Sequence, residues 1–276
     1  SRAWLSAAGE RDDVELVALV DIDRENARRR AEEFGLDSAL VGSDLTTVLR
    51  ETAPDVVFDV TVPEAHTEVA CTALRHGCHV LGEKPLAASM AGARRALRAA
   101  EKAGKIYAVI QNRRYNPAIR RLARLLARGA IGEITTVNCD FYIGAHFGGF
   151  RDHMEHVLLL DMAIHTFDQA RLITAADPVS VYCREWNPRG SWYDRDASAV
   201  CVFELSDGIV FTSRGSWCAA LVVSLADLDL ADPRWDLVSP LEAYRGSCLK
   251  DTYDAPDEGV VVELWGRIVI KMEAGS

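Results

Sequence analysis

A lysine at the end of a predicted strand is the first residue whose position indicates chemistry. Lys84 lies in the tripeptide Glu83-Lys84-Pro85, directly after the apolar run at 79–82. Because the carboxyl ends of strands in an α/β sheet face the ligand crevice, Lys84 is expected to point toward a bound molecule. There its ammonium group could polarise an oxygen or transfer a proton, since a desolvated lysine loses its proton more readily. The alternative is an ordinary helix start, with Pro85 at the first helical position and Lys84 on the surface.

Asp161 and His165 form a second arrangement with chemical potential. They are four residues apart in a predicted helix at 158–174, so both side chains lie on one face. The carboxylate can orient the imidazole and support its protonated form, and histidine is well matched to acid–base catalysis near neutral pH. A helix cap followed by one polar core histidine would give the same pattern.

The loop before this helix is crowded with polar side chains and leaves three explanations open. It could hold a metal ion, form the mouth of a polar substrate site, or be a solvated loop. The metal explanation would fit a hydrolase or isomerase using His153, His156, Asp161 and His165, but we expect no metal site. The crowded positions are His146, Arg151, Asp152, His153, Glu155 and His156.

The elements that position Lys84 alternate between short apolar runs and helical segments over 1–112. This alternation is typical of a parallel sheet covered by helices on both faces. The fold class is therefore predicted to be α/β, with a Rossmann-like, doubly wound dinucleotide-binding domain at 1–112. The predicted strands are at 15–20, 55–60, 79–82 and 106–110, and the predicted helices at 24–34, 46–51, 64–76 and 86–105, the last clearest at 89–103.

Asp21 ends the first of these strands, where an acid can bind the ribose hydroxyls of a dinucleotide. Asp23 could instead cap the following helix. The glycine-rich turn G-x-G-x-x-G is absent, and the sequence starts at what looks like the first helix of the fold. We therefore expect an N-terminally truncated domain. Either the glycines precede it in a longer protein, or this chain does not bind a dinucleotide.

The second half, 113–276, is predicted to be an α+β domain with a mostly antiparallel open sheet and helices on one face. Asp207-Gly208 is a strong hairpin signal between two of its strands. The polar segment 111–117 is expected at the same sheet edge as Lys84 or as a hinge between the domains, and it could be both. The predicted helices are at 117–128 and 158–174, and the strands at 133–142, 179–185, 197–205, 209–217, 260–264 and 267–272.

Composition limits the function classes. The net charge of −10 argues against nucleic acid or an anionic membrane as a partner. No apolar run approaches the roughly 18 residues of a membrane-spanning helix. The seven cysteines are scattered, without a C-x-x-C pair, which indicates reduced thiols in a cytoplasmic protein and no structural zinc.

Five segments, in this order, resemble the glucose–fructose oxidoreductase, inositol dehydrogenase and MocA family (Gfo/Idh/MocA). The resemblance covers about residues 1–217, and the pairing of Glu-Lys-Pro with D-x-x-x-H is more specific than either motif alone. The matching segments are at 17–23, 62–66, 82–86, 112–117 and 160–168.

The resemblance implies a role for each matching residue. Lys84 corresponds to the catalytic lysine at the nicotinamide and substrate hydroxyl, His165 to the acid–base histidine and Asp161 to its partner. The implied cofactor-binding residues are Asp21, Ile22, Thr61, Val62, Pro63, His66, Glu83, Lys84 and Arg113. The implied substrate-binding residues are Lys84, Tyr115, His146, Arg151, Asp161 and His165.

The function implied by the resemblance is an NAD(P)-dependent dehydrogenase acting on a CH–OH group of a sugar, a cyclic polyol or a sugar derivative. NAD is expected to be preferred over NADP, because Asp21 would repel the 2′-phosphate. The alternative is a catalytically silent sugar- or nucleotide-binding module of the same fold. A homo-oligomer formed through the C-terminal sheet is also expected.

Overall fold

The computed structural model describes residues 2–144 and 146–219. The chain divides into two compact units, at 1–111 and 112–276, which are described separately below. The strand candidates at 260–264 and 267–272 lie outside the described residues.

The first unit contains parallel strands only among its described residues. They form a two-stranded sheet, β1–β2, and a three-stranded sheet in the order β3–β4–β5. The parallel, helix-covered character predicted from the apolar runs is therefore confirmed. The strands are β1 (Ala18–Val20), β2 (Leu40–Gly42), β3 (Val56–Asp59), β4 (His79–Gly82) and β5 (Tyr107–Val109).

Helices connect these strands, and most of their ends match the sequence signals. Asp23 caps one helix through the main-chain N–H of Glu25, and Asp44 caps the next through Thr47. Gly104, at a φ of 62°, ends the last helix in a left-handed conformation that glycine adopts without steric cost. The helices are α1 (Arg2–Gly9), α2 (Arg24–Glu33), α3 (Leu45–Thr52), α4 (Pro63–Arg75) and α5 (Met90–Ala103).

The expected helical start at Leu86 is wrong. The helix α5 begins at Met90, after the N-cap Ser89, whose side chain accepts a hydrogen bond from Gly92. Pro85 follows a cis peptide bond and lies outside the helix. The segment after β4 is therefore an irregular loop, which leaves Lys84 in the loop rather than on the first turn of a helix.

The register of the three-stranded sheet determines which loops lie side by side. Asp59 at the end of β3 is paired with Gly82 at the end of β4, and both strands run in the same direction. Because the carboxyl ends of parallel strands meet at one edge, the segments after Asp59 and Gly82 are neighbours.

The second unit is built on a mixed four-stranded sheet in the order β6–β9–β8–β7. β6 pairs with β9 in parallel, and the other two pairings are antiparallel. The predicted α+β class with a mostly antiparallel sheet is thus confirmed. The elements are α6 (Pro117–Ala127), β6 (Thr136–Tyr142), α7 (Ile164–Thr174), β7 (Pro178–Trp186), β8 (Ser198–Leu205) and β9 (Val210–Ser216).

One face of this sheet packs on the helices and the other is exposed. Phe211, Leu205 and Val137 belong to the inner face and are buried against residues such as Ile119 of α6 and Ile173 of α7. The predicted hairpin turn joins β8 to β9, with a positive φ at both Asp207 and Gly208. In the part of the chain that the structure describes, no helix is long and apolar enough to cross a membrane.

Candidate functional site

The backbone around Lys84 is held by hydrogen bonds on both sides. Before it, the N–H of Glu83 donates to the carbonyl of Asp59 over 2.8 Å. After it, the hydroxyl of Tyr107 donates to the carbonyl of Leu86 over 2.9 Å. Lys84 itself is half-buried and follows the last residue of β4 by two positions. The lysine is therefore fixed at the carboxyl edge of the sheet, where the strand-end argument predicted it.

His66 braces this loop from inside. Its side chain is 1% exposed, and its two ring nitrogens lie 2.7 Å from the carbonyl oxygen of Pro85 and 3.1 Å from that of Thr61. The imidazole thus connects the segment after β3 with the segment after β4. Its contacts are with the main chain next to Lys84, so its role in this unit is support of the loop.

Glu83 and Asp59 also support the loop, and sequence reasoning did not single out Asp59. The indole N–H of Trp4 donates to Glu83 over 2.7 Å. Asp59 is 1% exposed, and one of its carboxylate oxygens accepts hydrogen bonds from the main-chain N–H and the hydroxyl of Thr61. Its position as a polar residue ending an apolar run was the available sequence signal.

The end of β1 carries the predicted ribose-binding acid. Asp21 accepts a hydrogen bond over 2.9 Å from the N–H of Asp23, which in turn caps α2. Ile22 between them is 98% exposed, and Val62 after β3 is 46% exposed. The segments after β1 and β3 therefore each expose an apolar side chain, and the segment after β1 also carries the acid Asp21.

In the second unit, Asp161 and His165 are buried and one turn apart. Asp161 is 5% exposed and lies in a π-helical segment, Leu158–Ala163, which continues directly into α7. His165 is 6% exposed and is the second residue of α7. The predicted helix is therefore present, but its first part has the wider π form, which occurs frequently at functional sites.

Asp161 has a partner that the sequence did not indicate. The guanidinium of Arg151 donates to its carboxylate through Nε over 2.8 Å and through Nη2 over 3.4 Å. Arg151 lies in the 3₁₀ turn Gly149–His153, in the loop that was predicted to contact substrate. The structure thus brings together two of the predicted site residues in one ion pair.

The polar segment at the start of the second unit is tied to the helix that carries His165. Arg114 makes a two-pronged ion pair with Asp168 of α7, with distances of 2.8 and 2.7 Å. Arg113 lies 5.9 Å from the ring centroid of Phe141, and burial lowers the pKa of its guanidinium. Tyr115 is 64% exposed.

Each histidine of the crowded loop lies close to a different acidic side chain. His146 contacts Asp152 at 3.1 Å, His153 contacts Asp194 at 2.6 Å, and Nδ1 of His156 lies 2.8 Å from Glu185. The hydrogen bond with Asp194 raises the pKa of His153. Across residues 2–144 and 146–219, no three histidine, cysteine, aspartate or glutamate side chains are grouped so that they could hold a metal ion.

Comparison with known families follows the same division of the chain. Residues 2–111 match the model described as "Oxidoreductase family, NAD-binding Rossmann fold", and residues 119–226 match the "GFO/IDH/MocA C-terminal domain". Together the two models cover most of the sequence. The chain belongs to the GFO/IDH/MocA family.

Curated members of this family include sugar dehydrogenases. The chain is 33% identical over 168 residues to the D-glucoside 3-dehydrogenase of Escherichia coli K12, an alignment that covers 59% of the chain and 47% of the relative. It is 31% identical over 176 residues to the D-apiose dehydrogenase of Paraburkholderia graminis, covering 63% of the chain and 46% of that protein. The chain thus spans about half the length of the curated relatives it matches.

Solved structures of other proteins have the same fold as this chain. An oxidoreductase from Agrobacterium radiobacter, determined in complex with NAD+, L-tartaric acid and magnesium, superposes with a TM-score of 0.73 at 22% identity. That alignment covers 80% of this chain and 64% of the other. At this level of identity the likeness establishes the fold alone.

Proposed function

We propose that this protein is an NAD-dependent dehydrogenase that oxidises a CH–OH group of a sugar, a cyclic polyol or a sugar derivative. The observation that carries the proposal is the anchored Lys84 after β4, in a family member that also carries the buried Asp161–His165 pair. Family membership and the named dehydrogenase relatives support the reaction class.

The residues at the carboxyl edge of the first unit's sheets fit the adenosine side of a dinucleotide. Asp21 offers a carboxylate for ribose hydroxyls, and the exposed side chains of Ile22 and Val62 offer apolar surface. Thr61, Pro63, Glu83 and Lys84 complete the proposed cofactor-binding set from this unit, with His66 as their support. The family resemblance adds Arg113 to the proposed set. NAD, when bound, supplies the acceptor for a hydride.

In the proposed reaction, His165 takes the proton of the substrate hydroxyl, and the carbon that bears this hydroxyl loses a hydride. The oxygen gains negative charge as its proton departs, and the ammonium group of Lys84 stabilises that charge. Asp161 holds the imidazole of His165 in orientation and balances its charge once it is protonated. Tyr115 and His146 are the remaining members of the proposed substrate-binding set.

Substitution of the acid–base pair tests this proposal. Loss of a positioned acid–base group typically lowers the rate by about 100- to 10,000-fold, so His165→Ala and Lys84→Ala should reduce kcat by that amount. NAD affinity should remain nearly unchanged in His165→Ala, as measured by fluorescence titration. Asp161→Asn should cost less, because His165 itself remains.

Arg171→Gln is a suitable control, because Arg171 pairs with Asp177 on the surface at the other end of α7. Near-normal kcat in His165→Ala would contradict the proposed function. If the unsubstituted protein binds sugars or inositols but oxidises none of a panel of them, a silent binding module would be favoured.

We propose further that the protein is a cytoplasmic homo-oligomer formed through the outer face of the C-terminal sheet. This outer face comprises Tyr142, Tyr182, Val202 and Val210, which share one side of the sheet by strand register and are all at least one-third exposed. Exposed apolar patches of this kind commonly mark interaction surfaces. The described cysteines are all free thiols, which is consistent with a reducing compartment.

A further inference from the structure

The carboxylate of Asp161 is almost completely removed from water, which makes its charge dependent on its neighbours. The residue is 5% exposed, and Oδ2 accepts a hydrogen bond from Nε of Arg151 over 2.8 Å. An ionised carboxylate in such a place needs an opposite charge or several hydrogen bonds to remain ionised. Arg151 supplies an opposite charge and two hydrogen-bond donors.

Arg151 is held in position by its own segment. Its guanidinium carbon lies 4.8 Å from the ring centroid of Phe150, within cation–π distance. The 3₁₀ turn around it is fixed by the N–H of Met154, which donates to the carbonyl of Arg151, and by the N–H of Asp194, which donates to the carbonyl of Asp152. These contacts hold the segment whose guanidinium is directed at Asp161.

The pairing determines the orientation of the Asp161 carboxylate. Nε and Nη2 of Arg151 approach different carboxylate oxygens, so the planar guanidinium limits rotation of the carboxylate. Asp161 lies in the π-helical segment, one turn before His165. An arginine that fixes this carboxylate therefore acts on the residue proposed to orient the general base.

We propose that Arg151 is a positioning residue that acts through Asp161. The inference rests on the proposed function, because it assigns Arg151 a task within that reaction. It replaces the role implied by the family resemblance, in which Arg151 binds the sugar. The two roles differ in kinetics: positioning affects kcat, whereas uniform substrate binding affects KM.

A double-mutant cycle with Arg151→Met and Asp161→Asn separates these roles. Misplacement of a catalytic group can cost about 100-fold in rate, so Arg151→Met should lower kcat by up to that factor, with little change in KM. In the Asp161→Asn background the same substitution should have almost no further effect, because the group it acts through is already neutral. Arg151→Lys, which keeps the charge, should recover part of the lost kcat.

The surface variant Arg171→Gln serves as the control and should leave both kinetic parameters unchanged. Thermal melting of every variant checks folding. If Arg151→Met alone is unstable because a buried charge loses one of its partners, the double variant removes that charge, and Arg151→Lys retains the pair.

Three results would overturn the inference. The first is a raised KM with unchanged kcat in Arg151→Met, and the second is additive effects in the double variant. The third is an Nε–H nuclear magnetic resonance signal of Arg151 that is the same in the parent and in Asp161→Asn, since the pair would then be absent in solution. A parent protein without any sugar turnover would instead overturn the proposed function, and the inference with it.

Discussion

A single carboxylate, that of Asp21, is expected to set the cofactor preference of this protein. We predict that Asp21→Ser raises the ratio of kcat/KM with NADP to that with NAD by at least about tenfold, because juxtaposed like charges cost several kcal/mol. Removal of the carboxylate eliminates its repulsion of the 2′-phosphate and its bonds to the ribose hydroxyls. Steady-state kinetics with both cofactors measure the change.

Asp23→Ser is the matched control for this prediction. It removes a charge two residues away, but serine is an equally good N-cap for α2, so helix stability should be kept. A parent protein that uses NADP as well as NAD, or an equal shift in Asp23→Ser, would contradict the assignment of Asp21.

The thiols of the protein should differ sharply in reactivity. Burial raises the pKa of Cys139 to about 11, and burial also raises the pKa of Cys78. The thiolate is the nucleophile, so at pH 8 the folded protein should leave both unmodified by iodoacetamide, while the exposed Cys183 is alkylated. Peptide mass spectrometry with and without urea checks this. Modification of Cys139 in the folded protein at pH 8 would contradict it.

At the scale of elements, the contact between the central sheet of the second unit and the π-helical segment depends on a glycine. A Cβ at Gly215 of β9 would lie 2.6 Å from the carbonyl oxygen of Phe141 and 3.4 Å from Leu158. Gly215→Ala must therefore displace β6 or the segment that carries Asp161.

We predict that Gly215→Ala destabilises the fold by about 1–3 kcal/mol, the usual cost of an overpacked site. Thermal unfolding should show a correspondingly lower Tm. Gly9→Ala is the control, because a Cβ there meets nothing within 4 Å. An unchanged Tm for Gly215→Ala would mean that the strands adjust without strain.

Elements with a strong periodicity of apolar residues could be predicted from the sequence, and elements without such a periodicity could not. The helix of Asp161 and His165 was predictable, because an apolar pattern and an offset of four define one face. β2 at Leu40–Gly42 was not predicted, because a run of three apolar residues is too short to distinguish a strand from a loop. The segment after Pro85 was misassigned as helix, since local composition does not reveal the contacts of Leu86 with Tyr107.

The candidate site shows the same limit. The positions of Lys84 and Asp21 followed from the rule that strand ends face ligands, which needs only the local pattern. The pairs Arg151–Asp161 and Arg114–Asp168 join residues 10 and 54 positions apart, and only the tertiary fold decides which of many arginines meets which acid.

At the scale of the whole molecule, the outer face of the C-terminal sheet leaves apolar side chains uncovered in the protomer. Tyr182 of β7 is 65% exposed and Val202 of β8, its cross-strand partner, is 39% exposed. On the same face, Arg214 and Asp140 make a two-pronged ion pair, which lies by strand register between Val210 and Tyr142. Exposed apolar side chains grouped on one face commonly mark an interaction surface.

We predict that Val202→Glu lowers the oligomeric state without unfolding the protomer. An unpaired carboxylate buried in an interface costs several kcal/mol, which corresponds to at least about a 100-fold increase in the dissociation constant. Light scattering coupled to size-exclusion chromatography at several concentrations measures the mass, and thermal melting verifies the fold. Met90→Glu, which alters a 68% exposed apolar residue in the first unit, should leave the mass unchanged. A monomeric parent, or a Val202→Glu variant of unchanged mass, would show that subunits do not associate through this face.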